Sequence, residues 1–453
     1  MKRVVFGAIV VSLQVVQPLK PAPDVHVAAG VLAARALERP IAGIAVAVGR
    51  IGSVSPSVAR GFGFADVDRK VPITPNAVFH IASVSKNIEA AVVLKLVEEG
   101  RLSLDEDITK YVAEAPTQGK RVTVRQLLNH TSGIHSFTSI PDAEANESRE
   151  MSHAEVLALV KDQPFDFEPG TSWRYSNTGF YLVGMAIERV TGMPYAEYVR
   201  ERVFRPLGMY WTSLCTARDT VPGLASGQDV RGGTLVAAAP MSWSLPFAAG
   251  AICSTASDVF RWQNALETGR FISRAHLEEM RRPTRLSDGT AIEYGLGTRI
   301  GTLQGHPVFG HTGNGGGFNA ILESFPADRL AVVVLTNTNN GGAAPLAAAI
   351  ARSALEVAPP TPRDTPVPPD EATALSGLFD SDDGLIESYA CGDKLCGRTP
   401  GQAEGRRLMR QAPFSYVAGP EVEVRFTPQP RPSEWAFVYN AGLLMDAKRR
   451  VKR

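Results

Sequence analysis

The strongest constraint in this sequence of 453 residues is a Ser-x-x-Lys pair at the head of a long apolar run. Ser83 and Lys86 lie three positions apart, and positions i and i+3 share one face of a helix, so the hydroxyl and the amine can touch. Between residues 88 and 97 only Glu89 and Lys95 are polar. A helix that is apolar on nearly all sides is typical of a protein core, so the pattern predicts a buried helix with this pair at its start.

A lysine in such a helix has a specific chemical use. Burial makes the charged form costly, so desolvation favours the neutral amine, which can act as a base towards a neighbouring hydroxyl. Ser83 is therefore the predicted nucleophile and Lys86 its base. The alternative is a helix N-cap serine beside a lysine whose stem lies along apolar surface. Ser85 is the weaker nucleophile candidate, because Ile88 occupies the position where its base would be.

Composition and charge argue against a nucleic-acid-binding protein. The net charge is +1 and 44% of the residues are hydrophobic, which describes a globular protein with no nucleic-acid surface. The basic run at residues 448–453 is typical of a solvated chain terminus.

The N-terminus predicts export. A charged start, Met1-Lys2-Arg3, precedes a short apolar segment at residues 4–16, as in a signal peptide. We therefore expect residues 1–24 to be a signal peptide or an uncleaved N-terminal anchor, and the protein to be periplasmic or secreted. No clear small-x-small cleavage site is visible, and a mis-assigned start is the other interpretation.

The cysteines bear on the same question. Four cysteines, if oxidised, allow three pairings. Cys391 and Cys396 flank a tight hairpin and could close across it, which suits an oxidising compartment. Neither this pair nor Cys215 and Cys253 has Cys-x-x-Cys spacing, so no metal site is predicted.

The order of elements predicts an α+β fold, with an antiparallel sheet flanked by helices and an inserted all-helical lobe. A helix at 25–37 and strands at 41–48 and 59–65 precede the Ser83 helix. Helical signals then dominate to residue 288, and strands return at 293–300, 307–310, 318–325 and 330–337 before a helix at 344–357. Residues 358–369 are Pro-rich and form a stiff linker, and residues 370–453 form a small β domain.

Two further stretches carry chemical groups. Tyr175-Ser176-Asn177 stands before a helix and offers a phenol as a proton shuttle beside an amide that can position Lys86 and a substrate carbonyl. By itself it would be interpreted as a buried tyrosine and a helix cap. His311-Thr312-Gly313 leaves a strand towards a Gly-rich turn, where glycines let the backbone approach a ligand, although such a segment is usually only a hairpin.

The three stretches in this order resemble the serine β-lactamase and penicillin-binding-protein superfamily, and most closely its class C β-lactamase, D-alanyl-D-alanine carboxypeptidase and esterase branch. Residues 127–134, 204–209 and 250–255 are also similar to that branch. The resemblance covers residues 25–357 and implies a β-lactamase/transpeptidase-like fold. By position it implies these roles: catalytic Ser83, Lys86 and Tyr175, and substrate-binding Asn177, His311, Thr312, Gly313 and Asn314, with the backbone N–H groups of Ser83 and Asn314 as oxyanion donors.

One difference from the class C β-lactamase motifs narrows the range of expected substrates. Class C β-lactamases carry Lys-Thr-Gly where this chain has His311-Thr312-Gly313, a form similar to that of D,D-carboxypeptidases, D-aminopeptidases and some esterases. We expect His311 to face the substrate carboxylate, and an imidazole with an ordinary pKa near ~6.5 to lose its positive charge above neutral pH. Neither a class A Ser-Asp-Asn with its glutamate nor Gly-x-Ser-x-Gly is found.

The sequence thus predicts a serine hydrolase that forms an acyl-enzyme on Ser83 and acts on D-amino-acid peptides or on esters. A β-lactamase proper, or an acylated sensor that turns over poorly, are the alternatives. No metal or organic cofactor and no nucleic acid are implied. The expected partner is a small-molecule or peptide substrate, with a membrane contact only through an uncleaved N-terminal anchor. The β domain could shape the substrate entrance, or serve stability or a partner; the oligomeric state stays open.

Overall fold

The computed structural model describes residues 25–140, 148–215, 221–359, 361–381, 384–419, 422–427, 435–440 and 442–449. The predicted signal peptide or anchor at residues 1–24 lies outside these ranges. Within them, none of the helices combines the length and the apolar character that a membrane span requires.

Helices and antiparallel strands alternate in blocks along the chain. The helices are Val25–Ala36, Ser85–Glu98, Val124–Leu128, His153–Val160, Asn177–Thr191, Tyr195–Val199, Phe247–Gly250, Ala256–Glu267, Arg274–Met280, Ala343–Leu355 and Pro369–Leu375. The strands are β1 (Gly43–Arg50), β2 (Val58–Asp66), β3 (Val71–Pro72), β4 (Phe79–His80), β5 (Ser213–Leu214), β6 (Gln228–Arg231), β7 (Thr234–Ala237), β8 (Ile252–Ser254), β9 (Thr284–Arg285), β10 (Ala291–Ile292), β11 (Arg299–Leu303), β12 (His306–Gly315), β13 (Phe318–Phe325), β14 (Leu330–Thr336), β15 (Gly377–Ser381), β16 (Gly384–Cys391), β17 (Lys394–Arg398), β18 (Arg406–Ala412), β19 (Ser415–Val417), β20 (Val422–Phe426), β21 (Trp435–Asn440) and β22 (Leu443–Arg449).

The central sheet has the strand order β11-β12-β13-β14-β1-β2-β3, with antiparallel pairing throughout. Alternation along β1 explains how both faces are covered. Ile44, Val46 and Val48 pack with the helices Val25–Ala36 and Ala343–Leu355, whereas Ala45 and Ala47 belong to the core that contains the Ser83 helix. The predicted α+β class, an antiparallel sheet flanked by helices, is confirmed.

The region between the Ser83 helix and β9 is mostly helical, and both predicted capping boxes are present. Thr123 and Gln126 form one, and Ser152 and Glu155 form the other. The lobe is not helical throughout as predicted, because the short strands β5, β6, β7 and β8 lie within it. β6 and β7 form a hairpin around Gly232, which has a positive φ of 58° and is followed by a second glycine.

Two of the predicted sheet strands differ from the observed ones. The strand expected at 293–300 is interrupted, since β10 ends at Ile292 and β11 begins at Arg299. Gly297 between them has a φ of 57° and lies close to the helix Ser85–Glu98. A Cβ added at this glycine would be 2.7 Å from the Cβ of Ala90. β12 is longer than expected and runs through the whole His-Thr-Gly motif to Gly315.

The Pro-rich segment ends where Pro369 opens a short helix, and most of the described residues that follow it lie in strands β15 to β22. β15 to β22 pair in chain order, and β15 pairs back with β22, so these strands close on themselves into a small barrel. The barrel joins the central sheet where Gly301 of β11 pairs with Leu443 of β22. A Cβ at Gly301 would overlap the carbonyl oxygen of Gly442, so this backbone contact requires a glycine.

All four cysteines are paired. The hairpin disulfide Cys391–Cys396 is present, and the second bond joins Cys215 to Cys253. His80 Nδ1 lies 2.9 Å from Cys253 Sγ, a proximity that spacing along the chain does not reveal. Because both sulfurs of the second pair are bonded to each other, they are not available as thiolate ligands.

Candidate active site

The predicted nucleophile lies in a turn. β4 delivers the chain to a 3₁₀ turn at Ala82–Val84, and the helix Ser85–Glu98 follows directly. Ala82 has a φ of 44°, a left-handed conformation that is strained for a residue other than glycine. Ser83 is half-buried and lies in the turn directly before the helix. It is therefore partly accessible to solvent.

Lys86 is fully buried and is held by oxygen atoms on three sides. Its Nζ lies 3.0 Å from Ser83 Oγ, 2.7 Å from Asn177 Oδ1 and 2.7 Å from the carbonyl oxygen of Ala249. The amide and carbonyl oxygens can only accept hydrogen bonds. A neutral amine that donates to both keeps a lone pair that can face the Ser83 proton, which is the geometry a general base needs.

Asn177 is held in place by two neighbours from one segment. Its Nδ2 donates to Thr138 Oγ1 at 3.0 Å, and its backbone N–H donates to Ser136 Oγ at 3.0 Å. These contacts orient the amide oxygen towards Lys86. The structure therefore brings together Ser83 and Lys86 with Asn177, which is far from them in the sequence.

Tyr175 lies beside the lysine. The centre of its ring is 4.9 Å from Lys86 Nζ and 4.3 Å from the centre of the His130 ring. The side chain is half-buried. The predicted phenol is thus adjacent to the predicted base.

The third motif lies on β12, and Gly313 makes its closest approach to the nucleophile. A Cβ at Gly313 would overlap the Ile81 carbonyl oxygen and would lie 3.1 Å from the Ser83 nitrogen. Only glycine permits this packing of strand against turn. Thr312 is half-buried, and the exposed Asn314 lies at the rim of the pocket.

His311 does not occupy the place expected from the sequence. It is fully buried, its Nε2 lies 3.0 Å from the Tyr294 hydroxyl, and its Nδ1 lies 2.6 Å from the Thr312 carbonyl oxygen. Burial first, then the positive charge of Arg299 and that of Lys86 in its protonated form, hold the pKa of this imidazole well below its ordinary value. The expectation of an imidazole that faces a substrate carboxylate and titrates near neutral pH was therefore wrong.

The hydrogen bonds around His311 determine the tautomers of two histidines. His130 Nδ1 accepts from the Ser176 N–H at 3.1 Å, so His130 Nε2 carries the proton and donates to the Tyr294 hydroxyl at 3.1 Å. Tyr294 can then donate to His311 Nε2, and His311 Nδ1 donates to the Thr312 carbonyl. Every member is satisfied with both rings neutral. Burial first, then Lys86 and Arg299, also lowers the pKa of His130 well below its usual range.

This chain of bonds connects the second and third motifs through residues that the sequence did not single out as site residues. Tyr294 is fully buried in the loop between β10 and β11, and Arg299 is buried at the start of β11. His130 belongs to a stretch noted only for its resemblance. A tyrosine and an arginine near predicted strand ends carry no distinctive spacing, so no local signal marked them.

A pocket of about 140 Å³ opens at Ser83. Its lining is largely apolar, and in the described part of the chain none of the lining side chains is charged: Ala82, Ser83, Phe137, Thr138, Asn177, Met241, Trp243, Leu245, Pro246, Ala249, Gly250, Asn314 and Gly315. A compact, uncharged acyl group suits such a lining, because a buried charge needs a partner.

Two other polar groups of the same helix are structural. Ser85 is buried and its hydroxyl accepts from the Ile252 N–H at 3.3 Å, so Ser83 is the serine that meets the lysine. Glu89 is buried, and its carboxyl oxygens have no hydrogen-bond partner among the described residues. Burial raises the pKa of Glu89 well above its usual range, opposed by Lys86, and thus favours the neutral acid.

A family model described as Beta-lactamase matches residues 28–356. The chain belongs to the beta-lactamase family. The resemblance predicted from the three motifs, with its β-lactamase/transpeptidase-like fold, is thereby confirmed. This beta-lactamase domain includes the central sheet, the helical region and every residue of the candidate site.

Individual relatives agree with this assignment. Penicillin-binding protein 4* of Bacillus subtilis is 30% identical over 294 residues, which are 61% of this chain and 64% of that protein. The chain thus spans less than two thirds of that relative's length. A D-amino acid amidase from Ochrobactrum anthropi has a similar structure, with a TM-score of 0.64 and 28% identity over 74% of this chain and 98% of that one.

A second structure extends the similarity of fold to the barrel. The octameric penicillin-binding protein homologue from Pyrococcus abyssi superposes with a TM-score of 0.66 and 23% identity, and the match covers 94% of this chain and 100% of that one. At 23% identity this similarity concerns only the fold of the two proteins.

Proposed function

We propose that this member of the beta-lactamase family is a serine hydrolase that forms an acyl-enzyme on Ser83. The observation that carries the proposal is the hydrogen bond between Lys86 Nζ and Ser83 Oγ, with the lysine fully buried and held by Asn177 and the Ala249 carbonyl. Nucleophile, base and positioning amide are thus in contact before a substrate binds.

The reaction would proceed in two halves. Lys86 takes the Ser83 proton as Oγ attacks the substrate carbonyl, and the leaving amine or alcohol receives a proton as its bond to the carbonyl breaks. Water then attacks the acyl-enzyme and releases the acid. Tyr175, beside Lys86, is proposed to share the proton transfers. The backbone N–H groups of Ser83 and Asn314 are proposed as oxyanion donors, each typically worth ~3 kcal/mol of transition-state stabilisation.

We propose amides and esters as the substrate class, with neutral esters and amides as the best substrates; D-amino-acid amides and D,D-peptides, which carry an ammonium and a carboxylate group respectively, are further members of the class. The largely apolar pocket and the neutral, buried His311 supply no cation for a carboxylate at the acyl site. Similarity to a D-amino acid amidase supports an amide. For the same reason substrates that carry a carboxylate, β-lactams among them, are expected to react more slowly than neutral esters.

A substrate panel tests both the proposed hydrolysis and the proposed substrate class. Short acyl esters, D-amino-acid amides, D-Ala-D-Ala peptides and a chromogenic cephalosporin are each assayed, with intact-mass measurement after mixing. Release of product from neutral substrates agrees with the proposal. A stable mass increase without product would mean a sensor, and a cephalosporin turned over best would mean a β-lactamase.

The nucleophile is tested separately with a serine-directed fluorophosphonate and peptide mapping. Ser83 should carry the label, Ser83→Ala should abolish it, and the matched variant Ser85→Ala should keep it. Labelling of another serine with Ser83 untouched would contradict the assignment. Lys86→Ala and Tyr175→Phe should each lower kcat on the order of 100-fold or more, with losses far from additive.

We also propose that the protein is exported. The apolar segment at residues 4–16 and the two disulfides support an oxidising compartment. Protein from its native host should begin after the apolar segment, and alkylation without reductant should find no free thiol. Four reactive thiols in that protein would contradict the proposal.

A further inference from the structure

The buried Arg299 connects the barrel to the catalytic domain. It begins β11, and its Nη1 donates a hydrogen bond to the carbonyl oxygen of Leu444 in β22 of the barrel. The neighbouring pair Gly301 and Leu443 fixes the two backbones against each other. The guanidinium is therefore held by the barrel at a defined place.

The other side of this guanidinium faces the active site. Its central carbon lies 5.5 Å from the centre of the Tyr175 ring and 6.0 Å from that of Tyr294. Lys86 Nζ lies 4.9 Å from the centre of the same Tyr175 ring. Tyr175 thus has two basic side chains around it, one from the nucleophile helix and one held by the barrel.

A second connection reaches the chain neighbour of Tyr175. Arg174 Nη2 donates to Asp380 Oδ2 in β15 at 3.1 Å, while its Nη1 donates to Asp166 Oδ1 at 3.3 Å. The three side chains are largely buried, at 12–26% exposure, so this ion pair is less screened than a surface pair.

Apolar contacts fill the space between these two connections. Tyr175 packs against a cluster that contains side chains of both parts of the molecule: Trp173, Leu286, Ile292 and Tyr294 from the catalytic domain, and Phe437, Tyr439 and Leu444 from the barrel. The barrel therefore forms part of the wall behind Tyr175.

We propose that the barrel is a positioning part of the active site, which acts through Arg299 and the Arg174–Asp380 pair to hold Tyr175 against Lys86. Arg299 is a positioning residue, since it touches Tyr175 rather than the substrate. A fixed cation beside a phenol also favours its phenolate form, which suits a proton shuttle. This inference rests on the proposed acylation of Ser83 and the proposed role of Tyr175.

The test compares Arg299→Met with the matched control Arg398→Met, both in the full-length protein. Arg398 also lies over a tyrosine ring, 4.7 Å from the centre of Tyr389, but within the barrel. Arg299→Met should lower kcat for a neutral ester 10- to 100-fold with KM nearly unchanged, and should shift the rising part of the kcat–pH profile to higher pH, because the phenolate form of Tyr175 is then less favoured. Arg398→Met should change neither.

A conservative variant separates charge from geometry. Arg299→Lys keeps the charge but loses the planar fork, so it should restore the pH profile and only part of kcat. Asp380→Asn, which removes one half of the barrel ion pair, should lower kcat severalfold without moving the profile. If Arg299→Met does not fold, these two variants decide the question.

Fluorophosphonate titration separates failure of this inference from failure of the proposed function. If wild-type protein is not labelled at Ser83, the proposed function is wrong. The inference fails in a different way. If wild type is labelled but folded Arg299→Met keeps the wild-type kcat and pH profile, the barrel is not a positioning element. The same conclusion follows if Arg299→Met does not fold and both Arg299→Lys and Asp380→Asn keep the wild-type kcat and pH profile.

Discussion

Asn177 accepts a hydrogen bond from Lys86 at 2.7 Å, and the same amide donates to Thr138. The neutral amide oxygen holds the lysine without adding charge beside it. This distinguishes the site from an ordinary buried ion pair, in which a carboxylate would keep the ammonium protonated and unable to act as a base.

Asn177→Asp should therefore lower activity although the shape is conserved. A carboxylate at this position stabilises the ammonium form of Lys86, and each pKa unit corresponds to about 1.4 kcal/mol. We expect kcat to fall about 100-fold, measured across pH 6 to 10 with a neutral ester. Asn76→Asp adds the same charge at an exposed position and should have no effect. Full activity of Asn177→Asp would show that Lys86 does not need to be neutral.

Gly313→Ala should disable the nucleophile turn. The added Cβ would overlap the Ile81 carbonyl oxygen, which is a backbone atom and cannot move aside as a flexible side chain would. We expect Ser83 to react with fluorophosphonate at least about 10-fold more slowly, with a loss of stability of about 1–3 kcal/mol. The control Gly30→Ala lies in a helix, where its Cβ would be 3.7 Å from the nearest atom, and should be tolerated.

Glu89→Gln should change how stability depends on pH. Burial raises the pKa of Glu89 in the folded chain, whereas the unfolded chain ionises it above a pKa of about 4.5, so unfolding above that pH releases a proton. Wild-type stability should fall as pH rises above that value, by up to about 1.4 kcal/mol per pH unit from this group. Urea unfolding at pH 4 to 7 should show this slope reduced in Glu89→Gln and unchanged in the exposed Glu38→Gln. Equal slopes in all three proteins would mean that Glu89 is ionised.

His311→Gln should alter the opposite, acidic side of the stability profile. The pKa of His311 is lowered on folding, so unfolding takes up a proton once the pH falls below the unfolded pKa of about 6.5. Stability from this group is present above that pH and is lost below it, by up to about 1.4 kcal/mol per pH unit. The free energy of unfolding, measured with urea from pH 7 to 5, should depend less steeply on pH in the variant. His306→Gln, at a partly exposed position, serves as the control. An unchanged slope would contradict a neutral His311.

Much of the local structure could be predicted from the sequence because it depends on near neighbours. The capping residues Thr123 and Ser152 signal two helix starts, and alternation predicts β1. Ser83 and Lys86 lie close because they are three positions apart in a stretch of helical geometry. The interrupted strand before β11 could not be predicted, since the close packing of Gly297 against the nucleophile helix is a long-range contact.

Sequence alone thus determined the family, the fold class and the pair Ser83 and Lys86, since these follow from residue type, spacing and order. Tertiary structure decided what each group experiences. It buried His311 and bonded both of its ring nitrogens, left Glu89 a neutral acid, and placed Arg299 between the barrel and Tyr175. Protonation and orientation depend on burial and on neighbours from distant parts of the chain, and neither quantity is encoded in local spacing.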